Sequence, residues 1–489
     1  MRVLQLSAEI YPLLKTGGLA DIAGALPAAL HAAGCEVRVL LPGFPSILAG
    51  CKNIITVGQF VAPWGEMLPV RFAELPTVPG GDGPLKAYVL DVPGLFDRPG
   101  NPYEDPQHRP YADNARRFAV LGWAAAHLAH GLDHDWSPDV VHGHDWHAAL
   151  APACLRFWPD THARRVPSVY TVHNLAYQGV FGAQHLGDIG LPPAAFQMEG
   201  LEFYGQISFM KAGLFYADHV TTVSPTYAQE IQTAEQGCGL DGLFRARSES
   251  LTGILNAVDD GVWNPATDHN LVHNFDLRHL GGKTDCKSAL QREMGLQEKA
   301  DAPLFAMVSR LTEQKGLHLV LAGVDQIAQG GGQLVVLGSG DTDLERAFSR
   351  LTVPYPGSVA VHLGYDEALA HRLFGGSDVT LVPSRFEPCG LTQMYGLKYG
   401  SLPLVRAVGG LADTVVDADL STLEDRSATG VAFQDFTEAA FQHALRRSFA
   451  LYRDRRAWAR VRRAGMGQSF SWSQSAQQYV SLYQDLIRH

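Results

Sequence analysis

Short apolar runs alternate with stretches whose apolar residues recur every three to four positions, the signature of strands alternating with helices. VLQLS opens the series, a Gly-bearing loop KTGG follows, and LADIAGALPAALHAAG then repeats at helical spacing, so these segments predict a β-loop-α unit. Further strand-like runs stand at Val37–Leu41, Ala87–Val92, Val140–His142 and Ser168–Val172, with a helical stretch between Asn114 and His130. Alternation of this kind predicts a parallel sheet covered by helices. Near Gly253 the pattern starts again, with LFAMVS, QLVVLGSG, VAVHLG, VTLVPS and LPLVRA each leading into a helix or turn.

The expected fold class is therefore α/β, with two Rossmann-like doubly wound domains facing an interdomain cleft and the boundary between Leu251 and Asp260. Ligands in such folds sit at the carboxyl ends of the strands. FSWSQSAQQYVSLYQDLIRH reads as a final amphipathic helix after a Ser471 or Ser473 cap. The segments expected are residues 1–252, 253–470 and a terminal helix 471–489 that packs back on the first domain.

Length supports two domains, because 489 residues exceed the roughly 250–300 at which one core stops growing. A formal net charge of −11 disfavours a protein that coats nucleic acid or anionic membrane, so any phosphate must be caught by local cations. The opening MRVLQLSAEIYP has too short an apolar run for a signal peptide, and no stretch offers the ~20 apolar residues of a membrane span, which predicts a cytoplasmic address. Six cysteines lie far apart without a CxxC pair, which indicates reduced thiols rather than a zinc ribbon or disulfide framework.

Five segments carry candidate chemistry. Lys15, Gly17 and Gly18 follow the first strand and Asp21 enters the helix behind them, which would aim backbone N–H groups and one ammonium at an anion; a purely structural turn is the alternative. Neither GxGxxG nor GxxxxGK[ST] occurs there. SRLTEQKG puts Arg310 at a strand end and Lys315 just before a helix, where both cations should face the solvent-filled cleft rather than core and alanine at either should leave the fold intact. Two charge-assisted contacts of about 1.5–3 kcal/mol each would hold a diphosphate without a basic surface; merely solvated side chains are the alternative.

PSRFEPCGLTQMYGLKYG places Glu387 between prolines and a glycine, where it could grip sugar hydroxyls while the N–H groups from Cys389 through Thr392 face a sugar or phosphate. Glu387 could instead cap the following helix. VHGHDWHA, with His142, His144, Asp145 and His147, has the wrong spacing for the HxHxDH cluster of binuclear metallohydrolases, so no metal is expected. His173 and Asn174 in TVHNLAYQG mark another polar strand end; a core histidine is the alternative there.

Taken together, these segments resemble the bacterial glycogen synthases, relatives of plant starch synthases. KTGGLAD, HGHDWHA, TVHNLAYQG, SPTYAQEI, LNAVD, SRLTEQKG, PSRFEPCGLTQ and VGGLADT occur in that family's order and span nearly the whole chain. The resemblance implies a B-type glycosyltransferase fold and a retaining enzyme that lengthens α-1,4-glucan (glycogen, maltooligosaccharides) from ADP-glucose, without cofactor, metal, nucleic-acid or membrane partner. It makes the first domain the acceptor-side catalytic domain and the second the nucleotide-sugar-binding domain, with hinge motion between them.

By the same resemblance Lys15 and Gly18 meet the sugar nucleotide, Arg310 and Lys315 hold the diphosphate, and His173 lies against the donor glucose. Glu387, Cys389, Gly390, Leu391 and Thr392 form the donor-site turn, while Asp145, Asn256 and Asp21 line the cleft. One departure stands out: the broader superfamily has a second glutamate where this chain has Tyr395, so no role is carried over for it. UDP-glucose as donor, a metal-dependent hydrolase and a non-enzymatic glucan-binding protein are the competing readings.

Overall fold

The first apolar run forms β1 (Arg2–Leu6), followed by β2 (Glu36–Pro42), β3 (Lys52–Val61), β4 (Met67–Leu75), β5 (Leu85–Leu90), β6 (Val140–His144) and β7 (Ser168–Val172). A small three-stranded sheet, β8 (Val180–Gly182), β9 (Glu202–Phe203) and β10 (Gln206–Ser208), precedes β11 (His219–Thr222) and β12 (Leu251–Gly253). The computed structural model describes residues 1–76, 83–160 and 162–488. It separates into two units, Met1–Asn256 with Trp472–His489, and Ala257–Ser471. His489, the last residue of the expected terminal segment, lies outside the described residues.

The large sheet of the first unit runs β12-β11-β7-β6-β1-β2-β5-β4-β3. Counting only its parallel strands in chain order, the sequence moves outward from β1 through β2 to β5, then returns to the other side of β1 with β6, β7, β11 and β12. That reversal leaves a topological switch point between β1 and β6, where successive connections depart to opposite faces. Register places Gln5 beside His142 and His144 beside Thr171, so the polar strand ends are neighbours.

Two expectations are corrected here. Strand–helix alternation predicts parallel pairing throughout, yet β4 runs antiparallel to both β3 and β5. Only residues 62–66 join β3 to β4, and a parallel return needs a crossover of a dozen residues or more, so a hairpin is the sole option. The run near Gly253 opens no second sheet: β12 pairs with β11, Val220 beside Leu251, and belongs to the first unit.

Helix Gly18–Ala32 turns Ile22, Leu26 and Leu30 onto this sheet, where they meet Val3, Val37, Val140 and Val169. The terminal helix, Trp472–Arg488, adds Ala476, Tyr479, Val480 and Tyr483 to the same cluster, so the chain's last segment completes the core that its first strand begins. Burying side chains of this size contributes about 1.5–3 kcal/mol each.

The second unit holds β13 (Leu304–Val308), β14 (Gln333–Gly338), β15 (Val359–Leu363), β16 (Val379–Val382), β17 (Leu402–Arg406) and β18 (Val431–Phe433). All pair in parallel in the order β15-β14-β13-β16-β17-β18, the 3-2-1-4-5-6 arrangement of a doubly wound sheet. Its switch point lies between β13 and β16, the strands that lead into SRLTEQKG and PSRFEPCG.

If the terminal helix is part of the first unit's core, Tyr479→Ala should destabilise that unit by about 3–5 kcal/mol, read as a lowered urea midpoint. A change below about 1 kcal/mol would show that the helix contributes little to it.

Candidate active site

In the first unit the chain leaves β1 through Ser7 and reaches Glu9, an acid only 3% exposed. Its carboxylate accepts from the Thr16 N–H at 2.6 Å and from the Thr16 and Tyr103 hydroxyls. Glu9 thus pins the KTGG loop from below. Above it, Lys15 Nζ donates to Asp21 Oδ1 at 2.8 Å and stands 5.4 Å from the Tyr11 ring centre. Helix Gly18–Ala32 begins with no side-chain cap, and a Cβ at Gly17 or Gly18 would meet nothing within 4 Å, so there is open space beside the start of the helix.

The neighbouring strand β6 carries His142 and ends at His144, and Asp145 follows it. Asp145 adopts a left-handed backbone, φ 56°, which swings its carboxylate across to the end of β7. There Oδ1 accepts the His173 N–H at 2.8 Å and the Asn174 N–H at 3.3 Å. Burial raises the Asp145 carboxyl to about 7, against the pull of those two N–H groups and with a smaller push from Glu9. The His173 ring meets His144, Nε2 to Nδ1 at 3.0 Å, and burial lowers it to about 3.

His142, His144 and His147 are also held neutral by burial. They do not converge: His142 lies between the Tyr483 and Thr171 hydroxyls, both at 2.6 Å, whereas His147 stacks on Tyr103 at 4.6 Å. No group of three His, Cys, Asp or Glu side chains among the described residues is placed to hold a metal. Asn256, 7% exposed, follows β12 at the carboxyl edge of the same sheet.

In the second unit Lys315 Nζ contacts Glu387 Oε2 at 2.6 Å, and the Ser384 hydroxyl donates to the same oxygen at 2.9 Å. Both contacts fall on Oε2, and Oε1 of Glu387 accepts from none of the described residues. The plainer alternatives do not hold: Lys315 is not merely solvated, since its side chain is 17% exposed and paired, and Glu387 does not cap a helix, since helix Thr392–Lys398 starts at Leu391 without a side-chain cap. Arg310, by contrast, is exposed, and its guanidinium has no hydrogen-bond or ion-pair partner among the described residues.

Close backbone approaches lock these loops together. Arg385 N–H donates to the Gln314 carbonyl at 2.8 Å, and Gly316, φ 70°, sits where a Cβ would lie 2.0 Å from the Pro383 carbonyl oxygen. The glycines of VGGLADT pack against the PSRFEPCG turn in the same way: a Cβ at Gly410 would lie 2.0 Å from the Cys389 carbonyl oxygen, and the Gly410 N–H donates to the Glu387 carbonyl at 3.1 Å. Buried Gln393 donates to the carbonyls of Cys389 and Gly390 at 3.1 and 2.7 Å. Gly390 itself is left-handed, φ 71°, and Leu391 and Thr392 follow it into the helix.

Residues predicted singly from sequence are thus brought together in three pairs, Lys15 with Asp21, Asp145 with His173, and Lys315 with Glu387. Glu9, Tyr103 and Ser384 were missed. Glu9 offered a faint signal, as an acid one turn beyond an apolar strand; Tyr103 lies in a Pro/Gly-rich loop with no pattern to reveal it. Tyr395, where an acid was missing, stacks on Trp263 at 3.9 Å, and Trp263 on His371 at 3.7 Å, so the position is used for packing.

The Asp145 carboxyl has a consequence for stability. As pH rises, the unfolded chain ionises this group near its ordinary 3.8, the folded chain only near 7. Stability owed to the neutral form is therefore complete below about 4 and lost as pH climbs through about 7. Asp145→Asn keeps an acceptor for the His173 N–H and removes the titration, so its stability should gain on the parent's across that window in urea unfolding. Parallel pH profiles would show that Asp145 ionises as an ordinary carboxylate.

A family model described as the starch synthase catalytic domain matches residues 2–246, and one described as glycosyl transferases group 1 matches residues 293–463. A glycogen synthase from Variovorax paradoxus (strain S110) is 60% identical over 491 aligned residues, covering 100% of this chain and 99% of its own. Those from Leptothrix cholodnii and Francisella tularensis subsp. novicida are 58% and 50% identical, covering 99% and 100% of this chain and 100% and 99% of theirs. The catalytic domain of starch synthase IV from Arabidopsis thaliana, solved with ADP and acarbose, matches with a TM-score of 0.89 at 33% identity, covering 100% of this chain and 99% of that one. A sucrose-phosphate synthase from Thermosynechococcus elongatus shares the fold, with a TM-score of 0.60 at 18% identity and coverage of 100% and 99%. Two Rossmann-like units in one α/β chain make this the B-type glycosyltransferase fold, and the chain belongs to the glycogen synthase family.

Proposed function

We propose that this chain transfers glucose from ADP-glucose to the non-reducing end of an α-1,4-glucan, glycogen or a maltooligosaccharide, with retention of configuration. The observation that carries the reading is the second unit's switch point, where an unpartnered Arg310 and the Lys315–Glu387 pair flank a turn of close-packed backbone. ADP in the starch synthase IV neighbour supports an adenine nucleotide as the leaving group.

Transfer from a diphosphate builds positive charge on the sugar ring as negative charge grows on the departing nucleotide. Arg310 and Lys315 are assigned to the phosphates. An ammonium has three N–H donors and Lys315 gives one to Glu387, so two remain for phosphate oxygens without breaking the pair. Glu387 Oε1 would accept a glucose hydroxyl, and N–H groups of Cys389, Gly390, Leu391 and Thr392 would face sugar or phosphate. His173 is assigned to the donor glucose, Lys15 and Gly18 to the sugar nucleotide, and Asp21, Asp145 and Asn256 to orientation of the ligands. No protein nucleophile is required when the acceptor attacks from the face the phosphate leaves, the phosphate helping to take the acceptor proton. Preorganised electrostatics and proximity then supply most of the acceleration.

The reading invokes no resident metal or cofactor, no nucleic acid and no membrane, and places the enzyme in the cytoplasm. No helix among the described residues is long and apolar enough to cross a membrane.

Alanine variants separate chemistry from architecture. Arg310→Ala should lower kcat/KM about 10- to 100-fold with an unchanged thermal midpoint, because only ligand contacts are lost. Lys315→Ala should lose activity and stability together, since it strands the buried Glu387 carboxylate. Near-normal activity in Arg310→Ala would remove that residue from the site.

Chain elongation of a maltooligosaccharide, followed with ADP-glucose and UDP-glucose in turn, tests the reaction itself. ADP-glucose should be the better donor. Preference for UDP-glucose would overturn the donor assignment, and saccharide binding with no elongation from either would leave a glucan-binding protein.

A further inference from the structure

The histidine assigned to the donor sugar is held by a second histidine that the reaction does not otherwise use. His144 is 1% exposed, its Nδ1 lies 3.0 Å from His173 Nε2, and its Nε2 is buried with no hydrogen-bond partner. The remaining nearby imidazole offers it nothing polar: His142 lies against it, ring centres 4.2 Å apart, but spends both nitrogens on the Tyr483 and Thr171 hydroxyls. Those two contacts fix His142, and His142 in turn fixes the ring plane of His144. His144 therefore has one polar contact, and that contact is His173.

Burial keeps both rings neutral, so each carries a single N–H and the 3.0 Å contact contains one proton. Two arrangements are possible. If His173 donated from Nε2, His144 would accept at Nδ1 and leave its own N–H orphaned on the buried Nε2. If His144 donates from Nδ1, the orphan is instead a lone pair. Orphaned buried N–H groups are the rarer kind, and an unmet acceptor is better tolerated.

We propose that His144 is a positioning residue: by donating from Nδ1 to His173 Nε2, it locks the His173 proton on Nδ1, so that His173 meets the sugar as a hydrogen-bond donor in a fixed ring orientation. The backbone end of the same residue is held independently, through the His173 N–H to Asp145 Oδ1 at 2.8 Å. His173 is thus constrained at both ends before any ligand binds, and its Nδ1 makes no hydrogen bond to any of the described residues. Preorganisation of this kind accelerates transfer because no tautomer or rotamer has to be selected at the moment of reaction. The inference rests on the assignment of His173 to the donor glucose, and its test reads the tautomer separately from activity.

The full chain carrying 15N-labelled histidine rings, with His173 signals assigned by their loss in His173→Ala, gives the tautomer directly. In the parent, His173 should show a protonated Nδ1 and an unprotonated, hydrogen-bonded Nε2. A protonated Nε2 overturns the proposal whatever the activity. His144→Phe should release His173 into a mixture of tautomers and lower kcat for glucosyl transfer by about tenfold or more, the cost of one hydrogen bond to the sugar misplaced. His144→Asn puts an amide nitrogen close to where Nδ1 stood; it should restore the Nδ1-protonated form and most of kcat. Equal kcat in the two variants, or a His173 signal that His144→Phe leaves unchanged, would make His144 mere packing. Should His173→Ala retain full activity, the donor assignment falls while the tautomer measurement still stands on its own.

Discussion

Parallel strand pairing is the constraint from which both sites follow. It sends every parallel strand's carboxyl end to one edge of its sheet, and a strand order that reverses once leaves two neighbouring ends whose connections turn away from each other. In the first unit those ends belong to β1 and β6, in the second to β13 and β16. Lys15 and Asp145 follow the first pair, Lys315 and Glu387 the second, and the latter two, 72 positions apart in sequence, meet because of topology. Nothing in the local sequence of KTGG or PSRFEPCG brings them to such a gap; the order of the strands does.

Carboxylates then do the organising. Glu9 accepts from Thr16 and Tyr103, Asp145 from the backbone of His173 and Asn174, and Glu387 from Lys315 and Ser384. In the latter two cases one acid ties together the ends of two different strands. Buried acids of this kind add little net stability over an apolar alternative, but removing one partner strands a charge at a cost of about 3–5 kcal/mol. They therefore fix geometry more than they add stability, and an acidic chain can build a site for an anionic ligand because its acids are engaged before the ligand arrives.

Much of this was legible before the fold was known, and the limits have physical causes. Strand–helix alternation and polar residues at strand ends found Lys15, Asp145, His173, Arg310 and Lys315, because chemistry in doubly wound sheets collects at those ends. Pairing direction was not legible for β3 and β4, since apolar alternation carries no information about which neighbour a strand takes; the five-residue link between them did. The pairing of Lys315 with Glu387 was not legible for a related reason. A cation and an acid 72 positions apart show no sign of each other when considered alone, and only the adjacency of β13 and β16 turns them into a pair. Tyr103 and His144 escaped notice as site residues because each acts on another side chain, through a contact that no spacing encodes.

The histidines show how burial sets the division of labour. With His142, His144 and His173 all neutral, this cluster presents dipoles and no charge, which suits an uncharged sugar better than a phosphate. The cations of the candidate segments are Lys15 in the first unit and Arg310 and Lys315 in the second. Two of the three carry carboxylate partners, while Arg310 has none among the described residues. A guanidinium suits that place because it is weakly hydrated, always charged and offers paired N–H donors that match two phosphate oxygens, whereas a lone exposed ammonium would hold its water more tightly. The two units thus offer different physics, neutral buried rings at the edge of the first sheet and a charged pair with an exposed guanidinium at the edge of the second. Neither relies on a strongly positive surface, in keeping with a net charge of −11.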